Sequence, residues 1–533
     1  MVTVESFALD VAARKLLLLI AVLVELFALN APCFAVANEQ QGLEQRRQLI
    51  NADWRFLLGD QKGAEAPGYV DQQWQRIGLP HTFGLPYFGA SEFYVGYGWY
   101  RKQLLLDALL PKHRYALEFE GVFQCAEIYV NGIKAGGHAG GYTGFQIDVT
   151  PFLHAGKNQI AVRVNNLWNA QLNPRAGEHN FNGGIYRNVY WVVTNDLHVA
   201  WYGTFVTTPD LDADGGSVHV ATEVRNDGGK DAVYVLRSTL LDQQNHILQQ
   251  VESTLRLSAH QQQTVQQKTD KVMHPALWSP EHPSLYKLHT EILVNKEIVD
   301  AYETVFGFRT IKWTADKGFF LNGEHRYFHG ADVHQDHAGW GDAVTNAGVA
   351  RDIRMLKEAG MDFIRGSHYP HSPAFSQECD QQGMSLWSEN SFWGTGRAKG
   401  EGYWTSSAYP PNVQDQKPFE ENVKTSLEEM IRIHRNHPSI ITWSLTNEVF
   451  FSDPALLPKI RSFMAELVNL SHYLDPTRAV AAGGVQRGEL DSIADIAGYN
   501  GDGALLFQNP GHPSVVSEYG SVESLRPGAF EPG

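Results

Sequence analysis

Short runs in which apolar and polar residues alternate fill the chain from residue 38 to residue 309. Residues 114–120, 126–130 and 159–164 read as strands with one face buried. Asn131-Gly132 follows the second run directly and predicts a two-residue hairpin turn. Gly136-Gly137 and Gly140-Gly141 mark further turns. No long amphipathic helical pattern appears in residues 38–196, so a β-sandwich or jelly roll is the expected fold there. Residues 197–309 repeat the theme at 217–224, 232–240 and 285–294. A strand-rich stretch of about 110 residues matches an immunoglobulin-like sandwich.

The period changes near residue 310. Val349, Ile353 and Leu356 fall on one helical face, and helical patterns at 347–359, 373–382, 419–434 and 456–473 alternate with apolar runs. Those runs, at 327–334, 361–365, 385–389, 440–446, 479–482, 493–499 and 514–518, read as seven strands. Repeated βα units predict a parallel (β/α)8 TIM barrel over residues 310–533, short of its last strand and helix.

The N-terminus has a different character. Arg14 and Lys15 precede an apolar run at 16–29, broken by Glu25, and then Ala35-Val36-Ala37. This is the layout of a secretory signal peptide over residues 1–37, cleaved before Asn38, and it predicts a periplasmic or secreted protein with no membrane attachment after cleavage. A net charge of −16 argues against nucleic acid as a partner, because phosphate binding needs a basic surface. Three cysteines in 533 residues exclude a disulfide scaffold; Cys33 lies in the signal, and Cys125 and Cys379 read as unpaired thiols. Aromatic residues at 11% suit a sugar-facing surface, and suit any large β-domain equally.

Catalytic side chains of a TIM barrel gather where its strands end. His334 follows the first predicted strand, and Arg365 and His368 end the second. Glu389 ends the third, Asn447 and Glu448 the fourth, Tyr499 the sixth and Glu518 the seventh. Glu448 and Glu518 supply the two carboxyl groups that glycoside hydrolysis requires, one as acid and one as nucleophile or base. Arg365 beside one of them would keep that carboxyl ionised, while burial and its neighbour would raise the other. The spacing of the two in sequence does not give their separation in space.

Trp443-Ser444-Leu445-Thr446-Asn447-Glu448 resembles the Asn-Glu acid/base motif of family 2 glycoside hydrolases. Ser517-Glu518-Tyr519-Gly520 is similar to that family's nucleophile strand, and Arg365-Gly366-Ser367-His368-Tyr369-Pro370 to its Arg-x-Ser-His-Tyr-Pro signature. Tyr97-Gly98-Trp99-Tyr100-Arg101-Lys102, Val130-Asn131-Gly132 and Gly184-Ile185-Tyr186-Arg187 resemble its jelly-roll sugar-binding domain. Phe306-Gly307-Phe308-Arg309 resembles the junction into its barrel. The likeness runs over about residues 46–530 in the family's domain order. It implies a retaining mechanism with Glu518 as nucleophile and Glu448 as acid/base. Asn447 would bond the sugar 2-hydroxyl, Tyr499 would hold Glu518, and Arg365 would steady its charge. His334 and His368 would bind hydroxyls, and Glu389 would be a further carboxylate of the site or a structural acceptor. Of Trp340, Trp387, Trp393 and Trp404, Trp393 is the expected sugar platform.

Two departures and several rivals accompany the resemblance. Some galactosidases of the family bind magnesium through a Glu and a His after strand three; Trp393 and Thr395 occupy those places here, so no metal or other cofactor is expected. The family continues past the nucleophile strand to an eighth strand and helix, so a chain ending at Gly533 is expected to aggregate or to work poorly beside a longer version. The run from His334 to Gly341 resembles a bacterial branch named β-galactosidases, which makes an exo-acting β-galactosidase the expected activity. β-Glucuronidase and β-mannosidase are alternatives, as are a transglycosidase and a carbohydrate-binding protein with an inactive barrel. Family members commonly form oligomers, and nothing in the sequence sets a number.

Overall fold

The computed structural model describes residues 46–86, 93–177, 181–396, 400–403 and 405–520. The predicted signal peptide with Cys33, and Trp404, lie outside the described residues. The first layer pair is antiparallel. A six-stranded sheet orders Gln75–Ile77, Trp54–Leu58, Tyr97–Leu106, Gly156–Asn165, Cys125–Val130 and Ile133–Ala139. A four-stranded sheet orders Arg47–Leu49, Val189–Asn195, His113–Phe119 and Phe145–Asp148. Alternation along Cys125–Val130 buries every second residue, and these inward residues join Trp54, Tyr100, Leu117 and Val162 in the core between the sheets. The Asn131-Gly132 turn is a hairpin with both residues at positive φ, 53° and 85°, which is why Gly follows Asn there.

A second sandwich packs three strands, Leu197–Thr207, His219–Asn226 and Gln261–Lys268, against four, Ile247–Leu257, Ala232–Leu241, Tyr286–Val294 and Glu297–Phe306. The barrel follows. Its parallel strands are β1 (Gly330–Asp332), β2 (Phe363–Gly366), β3 (Ser385–Trp393), β4 (Ile440–Asn447), β5 (Val480–Gly483), β6 (Ile496–Asn500) and β7 (Ser514–Glu518), adjacent in that order. The helices are α1 (Asn346–Glu358), α2 (Pro373–Gln382), α3 (Val413–His434), α4 (Leu457–Leu474) and α5 (Gly503–Leu506). β2 to β6 are buried on both faces, as strands wrapped by helices must be. α1 begins where Thr345 Oγ1 accepts the Gly348 N–H, and it buries Ile353.

The structure revises three of the expected elements. The run at 327–334 keeps only the three-residue β1, and Glu324–Arg326 just before it joins a small antiparallel sheet. Phe328 turns into the barrel floor, where it packs with Trp278, Phe319, Leu321 and Trp387. α3 starts six residues before Phe419 and passes through Pro418. β3 runs four residues beyond Glu389, with a register shift against β4 between Glu389 and Phe392. Cys125 and Cys379 are both free, and burial raises both thiol pKa values, that of Cys125 to about 11. No helix among the described residues is long and apolar enough to cross a membrane.

Candidate active site

The C-terminal ends of the strands form a recess centred on Arg365, whose side chain is 1% exposed. The guanidinium collects four strands. Its Nε and Nη2 donate to Glu389 Oε2 and Oε1 on β3 at 3.1 and 3.0 Å. Nη2 also donates to Asn447 Oδ1 on β4 at 2.9 Å. Nη1 donates to Asp332 Oδ2 on β1 at 3.0 Å and to Glu518 Oε2 on β7 at 3.1 Å. Burial works against the charge on Arg365, yet Glu389, Asp332 and Glu518 hold its pKa above the ordinary value.

Asn500, at the end of β6, joins the two carboxyl groups singled out in the sequence. Its Nδ2 lies 3.1 Å from Glu448 Oε1 and 2.9 Å from Glu518 Oε2. Those two oxygens are therefore no more than about 6 Å apart. Asn500 pairs with Glu518 across a register shift between β6 and β7, and Ser517 Oγ donates to its Oδ1 at 2.7 Å. Asn447 Oδ1 accepts from both Arg365 and Asn500. Glu448 follows β4 with φ at 50°, a left-handed conformation uncommon outside glycine. Gly484 makes room for it: a Cβ there would meet Glu448 Cγ at 2.4 Å.

His368 is buried, and burial together with the Arg365 charge holds its pKa well below the ordinary value. The neutral ring donates from Nδ1 to Glu389 Oε1 at 2.7 Å, which fixes the tautomer and leaves Nε2 an acceptor, 3.8 Å from Glu518 Oε2. His334 opens onto the recess with Nδ1 3.1 Å from the Tyr369 hydroxyl; its confined surroundings lower its pKa although Asp336 and Glu518 oppose this. Asp332 is 27% exposed, and burial raises its pKa to about 7 against the pull of Arg365, with Glu518 and Glu389 adding to the rise.

Two sequence expectations, for Tyr499 and Trp393, need correction, and of the two readings left open for Glu389 the geometry matches the structural acceptor. Glu389 lies inside β3 rather than at its end, is wholly buried, and accepts from Arg365, His368, Trp387 Nε1 at 2.9 Å and Ser444 Oγ at 2.8 Å. Burial raises its pKa against that opposing set. Tyr499 does not hold Glu518. Its hydroxyl reaches Asp491 and His512 at 3.2 and 3.3 Å and its ring stacks on Phe507, on the helix side of the barrel. Successive residues of a strand point to opposite faces, so Asn500 points in where Tyr499 points out. Trp393 stands beside His368, ring centroids 4.6 Å apart, but is only 3% exposed and offers no open face to a sugar. Trp387 is likewise buried, whereas Trp340 is 43% exposed on the loop after β1. Asp332 and Asn500 were missed, although both end strands and the strand-end rule could have found them.

Asp332, His368 and Glu518 bring three ligand-type atoms within 4.8 Å of one another. The Arg365 guanidinium already supplies a cation to two of them, Asp332 and Glu518.

The same three-part order recurs in known proteins. Residues 65–194 match the sugar binding domain of glycosyl hydrolases family 2, residues 198–309 the domain described as glycosyl hydrolases family 2, and residues 313–520 that family's TIM barrel domain. The chain belongs to glycoside hydrolase family 2. Within the family, it is 32% identical over 444 residues to a putative beta-glucuronidase of Formosa agariphila, covering 82% of this chain and 50% of that protein. It is 31% identical over 520 residues to a beta-galactosidase of Bacteroides ovatus, covering 89% of this chain and 58% of that protein. A beta-glucuronidase 2 of Bacteroides uniformis, solved covalently bound to cyclophellitol-6-carboxylate aziridine, superposes with a TM-score of 0.81 at 30% identity, covering 90% of this chain and 60% of that one. The chain thus spans 50% and 58% of the lengths of these two curated relatives. The relatives named here divide between beta-glucuronidases and a beta-galactosidase.

Proposed function

We propose that the chain carries the catalytic region of a retaining, exo-acting β-glycosidase, with terminal β-galactosides as its first substrate class. The observation that supports retention is the single Asn500 amide nitrogen in contact with both Glu448 and Glu518. In this reading Glu518 attacks the anomeric carbon while Glu448 protonates the departing oxygen. Glu448 then takes a proton from the incoming water, which releases the sugar from Glu518. Arg365 and Asn500 orient Glu518, Asn447 donates to the 2-hydroxyl, and His368 Nε2 accepts from a sugar hydroxyl.

The galactoside reading draws on the run from His334 to Gly341 and on the similarity to the Bacteroides ovatus enzyme. A β-glucuronide is the second reading, favoured by the Formosa and Bacteroides uniformis relatives. A glucuronide places a carboxylate in the recess, which needs a cation beyond Arg365, whose donors already serve Glu389, Asn447, Asp332 and Glu518. Hydrolysis of nitrophenyl β-galactoside, β-glucuronide and β-mannoside by wild type and Glu518→Gln tests both readings. Turnover of the galactoside alone, lost in the variant, supports the first, and turnover of the glucuronide alone replaces it with the second. Export is also proposed, from the N-terminal signal pattern; a secreted product whose sequence begins at Asn38 would support it, and a cell-retained product beginning at Met1 would oppose it.

A further inference from the structure

Charge balance at the base of the recess points to a role for Asp332. Asp332, Glu389 and Glu518 all bond one guanidinium. Fully ionised, they would leave two uncompensated negative charges around a side chain sealed from solvent, and carboxyl groups crowded about one cation do not all ionise. Hydrogen bonds donated to a carboxylate favour its charged form, so the donors rank the three groups. Glu389 receives Arg365 twice, His368, Trp387 and Ser444. Glu518 receives Arg365 and Asn500. Asp332 receives Arg365 alone among the described residues. The groups facing Asp332 from its surroundings are Arg365 on β2, His368 after β2, Glu389 on β3 and Glu518 on β7.

We propose that Asp332 is a positioning residue that holds the exchangeable proton of this cluster, neutral while Glu518 is ionised and ionised once Glu518 carries the sugar. The proposal rests on Glu518 being the nucleophile. When a Glu518 oxygen bonds to the anomeric carbon, the electron pair of the broken bond leaves with the departing group, and the cluster loses one negative charge. The Asp332 proton then passes to water, which reaches its partly exposed carboxyl. Hydrolysis of the ester restores the Glu518 charge, and Asp332 takes a proton back. Asp332 so keeps the charge around Arg365 nearly constant through both steps. The raised pKa of Asp332 agrees with the neutral resting form.

Proton counting tests this. A 2-deoxy-2-fluoro-β-galactosyl fluoride, or its glucuronyl counterpart, forms its adduct by exchanging fluoride for carboxylate, with no net proton from the chemistry itself. At pH 6 in weak buffer, wild type should release more protons per adduct than Asp332→Asn, by up to about one. Equal release from the two overturns the proposal. Thermal unfolding supplies a second readout that needs no adduct. A folded pKa raised above the ordinary value adds stability that is complete below the unfolded pKa and is lost as pH rises through about 7. The Tm of wild type minus that of Asp332→Asn should therefore fall between pH 4 and pH 7 and level off above; a constant difference overturns the proposal even where no sugar reacts. Failure of wild type to form any adduct sinks the nucleophile reading instead, so the two failures are told apart.

Discussion

Asn500 and Tyr499 are neighbours with opposite duties, and the pair tests the site residue by residue. Asn500→Ala removes a donor to both carboxylates and should lose about 1.5–3 kcal/mol of transition-state stabilisation, roughly ten- to hundredfold in kcat/KM. Tyr499→Phe should leave kcat/KM nearly unchanged and lower stability by about 1 kcal/mol, because its hydroxyl serves Asp491 and His512. Steady-state kinetics with the reverse ranking would contradict the geometry. The motif letters made Glu448, Glu518, Asn447 and Arg365 legible in the sequence because each motif fixes its residue directly. Tyr499 went astray because a period of two demands a boundary correct to one residue, and strand boundaries in sequence are softer than that. Glu448→Gln belongs to the same scale. It should slow glycosides with basic leaving groups by roughly 10²–10⁴-fold and nitrophenyl glycosides less in the first step, since a nitrophenolate departs without an acid.

At the level of elements, β3 and the turn after β5 set the site's precision. Four residues added to β3 move Glu389 from the mouth into the wall, where it clamps Arg365 and His368. Truncating one partner of a buried ion pair costs about 3–5 kcal/mol, so Glu389→Ala should show that loss in a denaturant titration, along with lost turnover. An unchanged midpoint would mean Arg365 has other means of support. Gly484 has φ at 58° beside Glu448. Gly484→Ala should reduce kcat more than it reduces stability, because the added methyl strikes the Glu448 side chain before any core residue. The βα alternation was legible because helical and strand periods differ. The end of β3 was not, since Asn390-Ser391 reads as a polar stop while the fold buries both residues among side-chain partners such as Asn173 and Ser426.

Across the whole molecule, the first sandwich reaches the barrel mouth through Arg187. The described residues belong to one compact unit, Gln45–Gly533. Arg187 donates to Tyr142 O in its own domain at 2.7 Å and to Gln335 Oε1 and Pro370 O in the barrel at 2.9 and 2.8 Å, bracketing His334 and His368. Arg187→Ala should therefore raise KM or lower kcat, although it sits outside the reacting groups, and comparison of kcat and KM would show which. Contacts of this kind span 148 and 183 residues of sequence and leave no local pattern, so the domain order was readable but the join was not.

In a double displacement Glu518 becomes covalently attached to the sugar, and peptide mapping by mass spectrometry detects that bond. Wild type is incubated with 2-deoxy-2-fluoro-β-galactosyl fluoride and, separately, with the glucuronyl analogue, then digested. One fluorosugar is expected on the peptide that contains Glu518 and none in Glu518→Gln, with the reactive analogue naming the sugar. A label on the Glu448 peptide, or turnover that inverts the anomeric centre with no label at all, would contradict it.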